Sequence, residues 1–201
     1  MTTDNVSITS GVGTTISADY VGGVHVQRVK VQHGADGYAS DVSRDDPLPV
    51  TTSSRIVDVT LSLDTSAAYI SGDVLADTQV VSNAMRTING NGLLNSIVVI
   101  DEDDQNQPLD LVFLSANVSL GTENSAPSIT DANARNILGI VRVNASDYVD
   151  LGGVGIATIT GLTLGIQAAS GTPDLYVAAI SRGTPTHTAS GLRLRLNIIT
   201  D

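Results

Sequence analysis

Clustered carboxylates are the groups in this chain with the plainest chemical potential. Asp101-Glu102-Asp103-Asp104 puts four acids in a row, and hard cations seek such groups of oxygens. The run does not fit the calcium loop of an EF-hand. Counted from Asp101, position six is Asn106 rather than Gly, and position twelve is Val112 rather than Glu. An acidic, solvated loop between strands is therefore the favoured reading, and no metal is expected. If loops at one end of a sandwich do gather an ion, its ligands come from Asp101, Asp103 and Asp104. The histidines are His25, His33 and His187. No His-x-His pair with a following Glu is present, so the histidine metal centre of a cupin-type barrel is not expected. All three read as surface or interface residues.

Nucleophilic chemistry has no signature. Cys is absent, no Gly-x-Ser-x-Gly occurs, and no Ser is tied by spacing to a His and an acid. Glycosidase carboxylates pair in space rather than in sequence. Sugar sites, however, usually stack their ligand on aromatics, and this chain has one Phe, five Tyr and no Trp. Gly152-Gly153-Val154-Gly155 lacks a Lys and opens no helix, so it is not a phosphate loop. The expectation is a protein that is not an enzyme and carries no cofactor.

The totals agree with a binding or structural role. A chain of 201 residues holds one β-sandwich plus extra segments. Its hydrophobic content is 41% and its aromatic content 3%, so Val, Ile, Leu and Ala must build the core. The net charge of −11 disfavours nucleic acid as a partner, which needs a basic surface. The N-terminal run MTTDNVSITSGVGTT has no basic start and no apolar stretch, so no signal peptide is predicted. No run approaches the ~18 apolar residues of a membrane helix.

The elements that must position these residues are strands. From Arg55, Val57, Val59, Leu61 and Leu63 alternate with Ile56, Asp58, Thr60 and Ser62, which is the period of a half-buried strand. Val74 to Val81 follows, then a short segment at Met85 to Ile88 and the turn Asn89-Gly90-Asn91-Gly92. Leu93 to Ile100 is apolar on both faces and belongs at the centre of a sheet. Pro108 opens Leu109 to Leu114. Residues 116–130 form a polar loop. Thr130 or Asp131 caps a helix over Ala132 to Leu138, with Gly139 as its stop. Ile140 to Val143 is a short strand. In Ile156 to Ile166 the even positions Ile156, Leu162, Leu164 and Ile166 face inward, and Gly161 or Gly165 marks a bend. Leu175 to Arg182 and Leu192 to Ile198 complete eight or nine strands. One helix and no βαβ rhythm predict an all-β, two-sheet antiparallel sandwich, a jelly roll first and an immunoglobulin-like sandwich second. Its span is 53–201, after a leader of 1–52.

The leader is different in kind. Residues 1–20 hold little to bury. Val24 to Val31 suggests a strand, but Val24 and Val26 fall on one face and Val29 and Val31 on the other, a slip at Gln27-Arg28. Gly34-Ala35-Asp36-Gly37 signals a turn, and Pro47 and Pro49 force extended backbone. Two readings stay open. One is an extended arm that attaches the β domain to a partner; the other is a strand folded onto its own domain. On the arm reading the partner-binding residues are Gly22, Gly23, His25, Gln27, Arg28, Lys30, His33, Arg44, Pro47 and Pro49.

The run Asp19-Tyr20-Val21-Gly22-Gly23-Val24-His25-Val26-Gln27-Arg28-Val29-Lys30-Val31, with Gly34 to Gly37 and Asp46-Pro47-Leu48-Pro49-Val50, resembles a leader of tailed-bacteriophage virion proteins. There a similar Gly-Gly-Val-His-x-Gln-x-Val-Lys run precedes a variable domain. Ser71 to Val74 and Leu94 to Asp101 are similar to β domains of phage head-decoration proteins. The resemblance implies a capsid decoration (cement) protein. It would bind the major capsid protein and itself, as a homodimer or homotrimer, in a virion assembled in the host cytoplasm. A tail, neck or baseplate adaptor, or a module binding a host surface or carbohydrate, is the alternative.

Overall fold

The computed structural model describes residues 18–27, 31–33, 40–45 and 53–200. The chain divides into two compact units, Met1–Thr51 and Thr52–Asp201.

In the first unit, β1 (Ala18–Val21) and β2 (Val24–Gln27) form an antiparallel hairpin. Gly22 and Gly23 make its turn at φ +59° and +88°. A two-residue turn with positive φ at both places is the kind that glycine favours and that matches strand twist. β3 (Gln32–His33) pairs with β4 (Ser40–Asp41), and the Gln32 amide donates to Asp41 Oδ1 at 2.8 Å. Of the strand expected over Val24 to Val31, Val24–Gln27 is formed. Its supposed slip runs into residues 28–30, outside the described residues, as are the turn at 34–37 and the Pro-Leu-Pro segment.

The second unit is a two-sheet antiparallel sandwich with one short helix. The larger sheet runs β10 (Tyr148–Asp150), β11 (Gly155–Ile159), β7 (Asn91–Asp101), β14 (Leu192–Thr200), β5 (Ser53–Thr60), with β12 (Leu164–Gln167) beside the other half of β7. The smaller runs β6 (Val74–Val81), β13 (Leu175–Ser181), β8 (Leu109–Leu114), β9 (Ile137–Val143). The connections β5 to β6, β7 to β8 and β13 to β14 each pass from one sheet to the other, as a jelly-roll arrangement requires. Leu94, Ile97, Val99, Leu194 and Leu196 meet Leu109, Leu111, Phe113, Val141 and Val177 in one shared core. Among the described residues no helix is long and apolar enough to cross a membrane.

β8 is buried at all six positions, because the small sheet is covered on both faces where β8 and β13 run. Its inner face meets the large sheet. Its outer face, Val74, Val112, Leu114, Ala178 and Ile180, lies under Val118, Leu120 and Ile129 of the loop before the helix. Asp77 fastens that loop: its carboxylate accepts from the Leu120 N–H at 2.8 Å and from the Ser119 hydroxyl at 2.7 Å.

Three expectations are corrected. The helix is a single turn, α1 (Asp131–Ala134), capped by Thr130, whose hydroxyl accepts from the Asn133 N–H at 3.2 Å. Ile137 and Gly139 pair with β8 instead of continuing it. There Gly139 lies so close to Leu164 that a Cβ would crowd it; its role is close packing, not helix termination. Ile156 to Ile166 is two strands rather than one. Gly161, at φ +71°, breaks it, and in β11 the inward residues are Ala157 and Ile159, odd positions. The short segment Met85 to Ile88, which would be a ninth strand in a count of eight or nine, is turn. Met85 is buried, and the Asn-Gly turn that follows places its positive φ at Asn89. With Tyr148–Asp150, which the sequence pattern did not reveal, the sandwich has ten strands.

Candidate functional site

One end of the sandwich is organised by polar side chains. Here the connection from β7 to β8 and the connection from β13 to β14 cross between the sheets side by side. Backbone bonds close the run at each end: the Arg182 N–H donates to the Pro108 carbonyl at 2.9 Å, and the Glu102 N–H to the Gly191 carbonyl at 2.8 Å. Between them side chains replace the ladder. Gln107 Oε1 accepts from the Thr184 N–H (3.5 Å), Gln105 Oε1 from the Thr186 N–H (3.3 Å) and Asp103 Oδ2 from the Thr188 N–H (2.7 Å). Asp-x-Gln-x-Gln thus meets Thr-x-Thr-x-Thr in antiparallel register. The glutamine amides then donate along their own segment, Gln107 to the Gln105 carbonyl and Gln105 to the Asp103 carbonyl, both at 3.1 Å. Backbone groups of two segments that form no ladder are thereby joined.

Asp101 ends β7 and is 1% exposed. Its Oδ1 accepts from the Asp103 N–H at 3.2 Å and its Oδ2 from the Asn106 N–H at 2.7 Å. Asp104 and Asn106 take φ of +53° and +51°, which their side-chain types tolerate. His187 brings its Nδ1 to 3.3 Å from Asp103 Oδ2 and 3.7 Å from Asp101 Oδ1. The Thr188 hydroxyl donates to Asp103 as well. Three glycines make room for this assembly. A Cβ on Gly155, Gly183 or Gly191 would overlap the side chains of Asn106, Gln107 and Asp103 respectively. Beside Asp101, the Asn106 Oδ1 and the Tyr148 hydroxyl are buried with no hydrogen-bond partner. Burial, followed by the charges of Asp101 and Asp147, pushes the Tyr148 hydroxyl far above its ordinary pKa.

Of the acids expected to be able to hold an ion, the structure brings Asp101 and Asp103 together. Asp104 turns aside and accepts from the Asn106 amide at 2.8 Å. The group that joins the pair is His187. It was expected at a surface or interface, yet its side chain is 2% exposed. One atom from each of Asp101, Asp103 and His187 lies within 4.8 Å of the others, a donor set of two oxygens and a nitrogen. Nothing local announces His187, which is 84 residues from Asp103 in sequence; only the flanking alternation of threonines marks its segment as extended.

Of the leader residues expected to bind a partner, Gly22 and Gly23 are exposed at the hairpin turn. His25 stands opposite Tyr20 and Gln27 opposite Ala18 in the ladder. His33 pairs with Ser40 and is half-buried, and Arg44 is exposed. Arg28, Lys30, Pro47 and Pro49 lie outside the described residues.

No protein-family model matches the chain, and no curated protein matches it. Solved structures to which it is similar include the K3 adhesin domain of Lys-gingipain from Porphyromonas gingivalis (17% identity, 68% of this chain and 71% of that one, TM-score 0.30). Others are Desmodium yellow mottle tymovirus (14% identity, 88% and 96%, TM-score 0.26) and the native virion of Kashmir bee virus at acidic pH (16% identity, 98% and 94%, TM-score 0.30). At such scores no property of these proteins transfers to this chain.

Proposed function

We propose that the chain is a non-enzymatic structural protein of a tailed-phage virion. Specifically, it is a head decoration (cement) protein that bridges major capsid protein subunits through its leader and associates with copies of itself. The observation that carries this reading is the leader, whose Gly22-Gly23-Val24-His25 and Gln27-Arg28-Val29-Lys30 resemble the phage virion run. The sandwich supports it by what it displays. The chain's own loop covers the middle of the small sheet's outer face, while the large sheet's outer face leaves Ile56 69%, Leu93 44% and Val149 60% exposed. Apolar residues displayed on a rigid sheet, interleaved with Arg193–Glu102 and Arg195–Asp58 pairs, suit contact with a neighbouring protein. A short leader hairpin adds main-chain groups that can extend a neighbour's sheet whatever its side chains. Weak contacts repeated over a lattice then act together.

Quantitative mass spectrometry of purified virions tests this. Copies in a fixed ratio to the major capsid protein are expected. A handful of copies per particle would sink the cement reading and move the protein to the tail, neck or baseplate. Absence from virions, with saturable binding to a glycan or host protein, would favour a surface-binding module.

A further inference from the structure

We propose that Asp101, Asp103 and His187 bind one divalent cation of the zinc or manganese class at the end of the sandwich. The inference stands apart from the virion reading and rests on different residues.

Geometry comes first. In a tetrahedral site with metal–ligand bonds of about 2.0–2.2 Å, donors stand roughly 3.4 Å apart. His187 Nδ1 stands 3.3 Å from Asp103 Oδ2 and 3.7 Å from Asp101 Oδ1. Little movement separates this arrangement from a coordination shell. The donors are also braced as metal ligands commonly are. Asp101 is held by the N–H groups of Asp103 and Asn106, and Asp103 by the N–H and hydroxyl of Thr188. With the Thr188 hydroxyl turned to Asp103 Oδ1 at 3.0 Å, Asp101 Oδ1 and Asp103 Oδ2 each accept one backbone N–H and keep a second lone pair for a metal.

Charge points the same way. Two carboxylates, 1% and 16% exposed, face one imidazole. The nearby arginines are engaged elsewhere: Arg193 with Glu102 at 2.7 Å and Arg182 with Asp110 at 2.7 Å. Paired acids removed from water call for a compensating cation.

A separate observation points to a hydrated ion. Asn106 Oδ1 and the Tyr148 hydroxyl are both buried without a hydrogen-bond partner. Both belong to the surroundings of Asp101. Asn106 donates its N–H to that carboxylate, and Tyr148 lies within reach of its charge. Such orphaned atoms are rare in folded proteins. Water on a cation bound at Asp101 would supply a donor for the amide oxygen and an acceptor for the phenol. The mixed donor set gives the metal class: imidazole suits zinc and the carboxylates admit manganese, whereas calcium takes six to eight oxygens and magnesium prefers oxygen and water.

The test uses the full chain, stripped with EDTA and titrated calorimetrically with MnCl2 and with ZnCl2. Thermal unfolding is followed in each metal and in CaCl2. One ion per chain is expected, with a rise in Tm in manganese or zinc that exceeds the rise in calcium. His187→Asn should weaken binding by at least about tenfold, the loss typical of an impaired metal site. Asp101→Asn, which keeps an acceptor for the backbone, should do the same. Glu102→Gln, an exposed neighbouring acid, should bind as the parent does. The proposal is overturned if the parent takes up neither metal, or if calcium stabilises it more. It also fails if both His187→Asn and Asp101→Asn retain parental affinity, which would place any bound ion elsewhere.

Discussion

Asp110 shows how a single carboxylate on an inner strand can tie together the two strands that flank it. Its side chain is 3% exposed, yet Arg142 Nε reaches Oδ1 at 3.1 Å and Arg182 Nε reaches Oδ2 at 2.7 Å. Burial by itself would raise its pKa. The hydrogen bonds and charges of the two guanidiniums outweigh burial and hold it below the ordinary carboxylate value. A depressed folded pKa means that this stabilisation is fully present above the unfolded value of about 3.9 and is lost as pH falls through the lower folded value. Removing both arginines reverses the sign. In Arg142→Ala/Arg182→Ala the buried carboxylate has no cation, so its folded pKa rises. The variant should be destabilised by about 1–2 kcal/mol at pH 7, and the deficit should shrink as pH falls towards 5. Urea unfolding of parent and variant at the two pH values checks this, and a deficit independent of pH would disprove it. Only half of the arrangement could be read beforehand. The strands Leu109 to Leu114, Ile140 to Val143 and Leu175 to Arg182 are expected from the sequence, but nothing around Asp110 in sequence indicates two arginines drawn from β9 and from beyond β13.

Elements were legible where one face is wet and lost where both are dry. β5 and β14 show clean alternation because their outward residues meet solvent. β8 shows none, since the loop bearing Leu120 covers its second face. The cap at Thr130 is real, but the residues after Ala134 gain more by pairing with β8 than by extending a helix with no buried face. The division of β11 from β12 turns on the backbone at Gly161, which shifts the inward phase by one residue. The side-chain ladder between residues 103–107 and 184–188 was invisible because its two halves are far apart in sequence. Its contribution is testable. Gln105→Ala and Gln107→Ala should each lower stability by about 1 kcal/mol. Hydrogen exchange at the Thr186 and Thr184 amides should quicken in the matching variant. Unchanged exchange at both amides would show that the glutamines do not hold this connection.

At the scale of the molecule, the shared core of the two sheets lies wholly within the second unit. A chain of residues 52–201 should therefore unfold in urea as one cooperative transition, with a free energy within about 1 kcal/mol of the full chain's, given the linear dependence on denaturant. A broad, probe-dependent transition would contradict this. Should that chain fail to bind capsids while the full chain binds, the leader would gain its proposed role as clamp. The ends of this unit carry a mechanical consequence. Ser53 and Thr200 are ladder partners, where the first strand of the sandwich meets its last, and β5 is the outer strand of the large sheet. Tension applied between these two points would peel β5 from β14 one hydrogen bond at a time. Tension applied from Ser53 towards the opposite end of β14, at Leu192, would load the whole ladder in shear. The unit is thus soft along one line of pull and stiff along another, and the direction in which a neighbour holds it would decide how much strain it can bear.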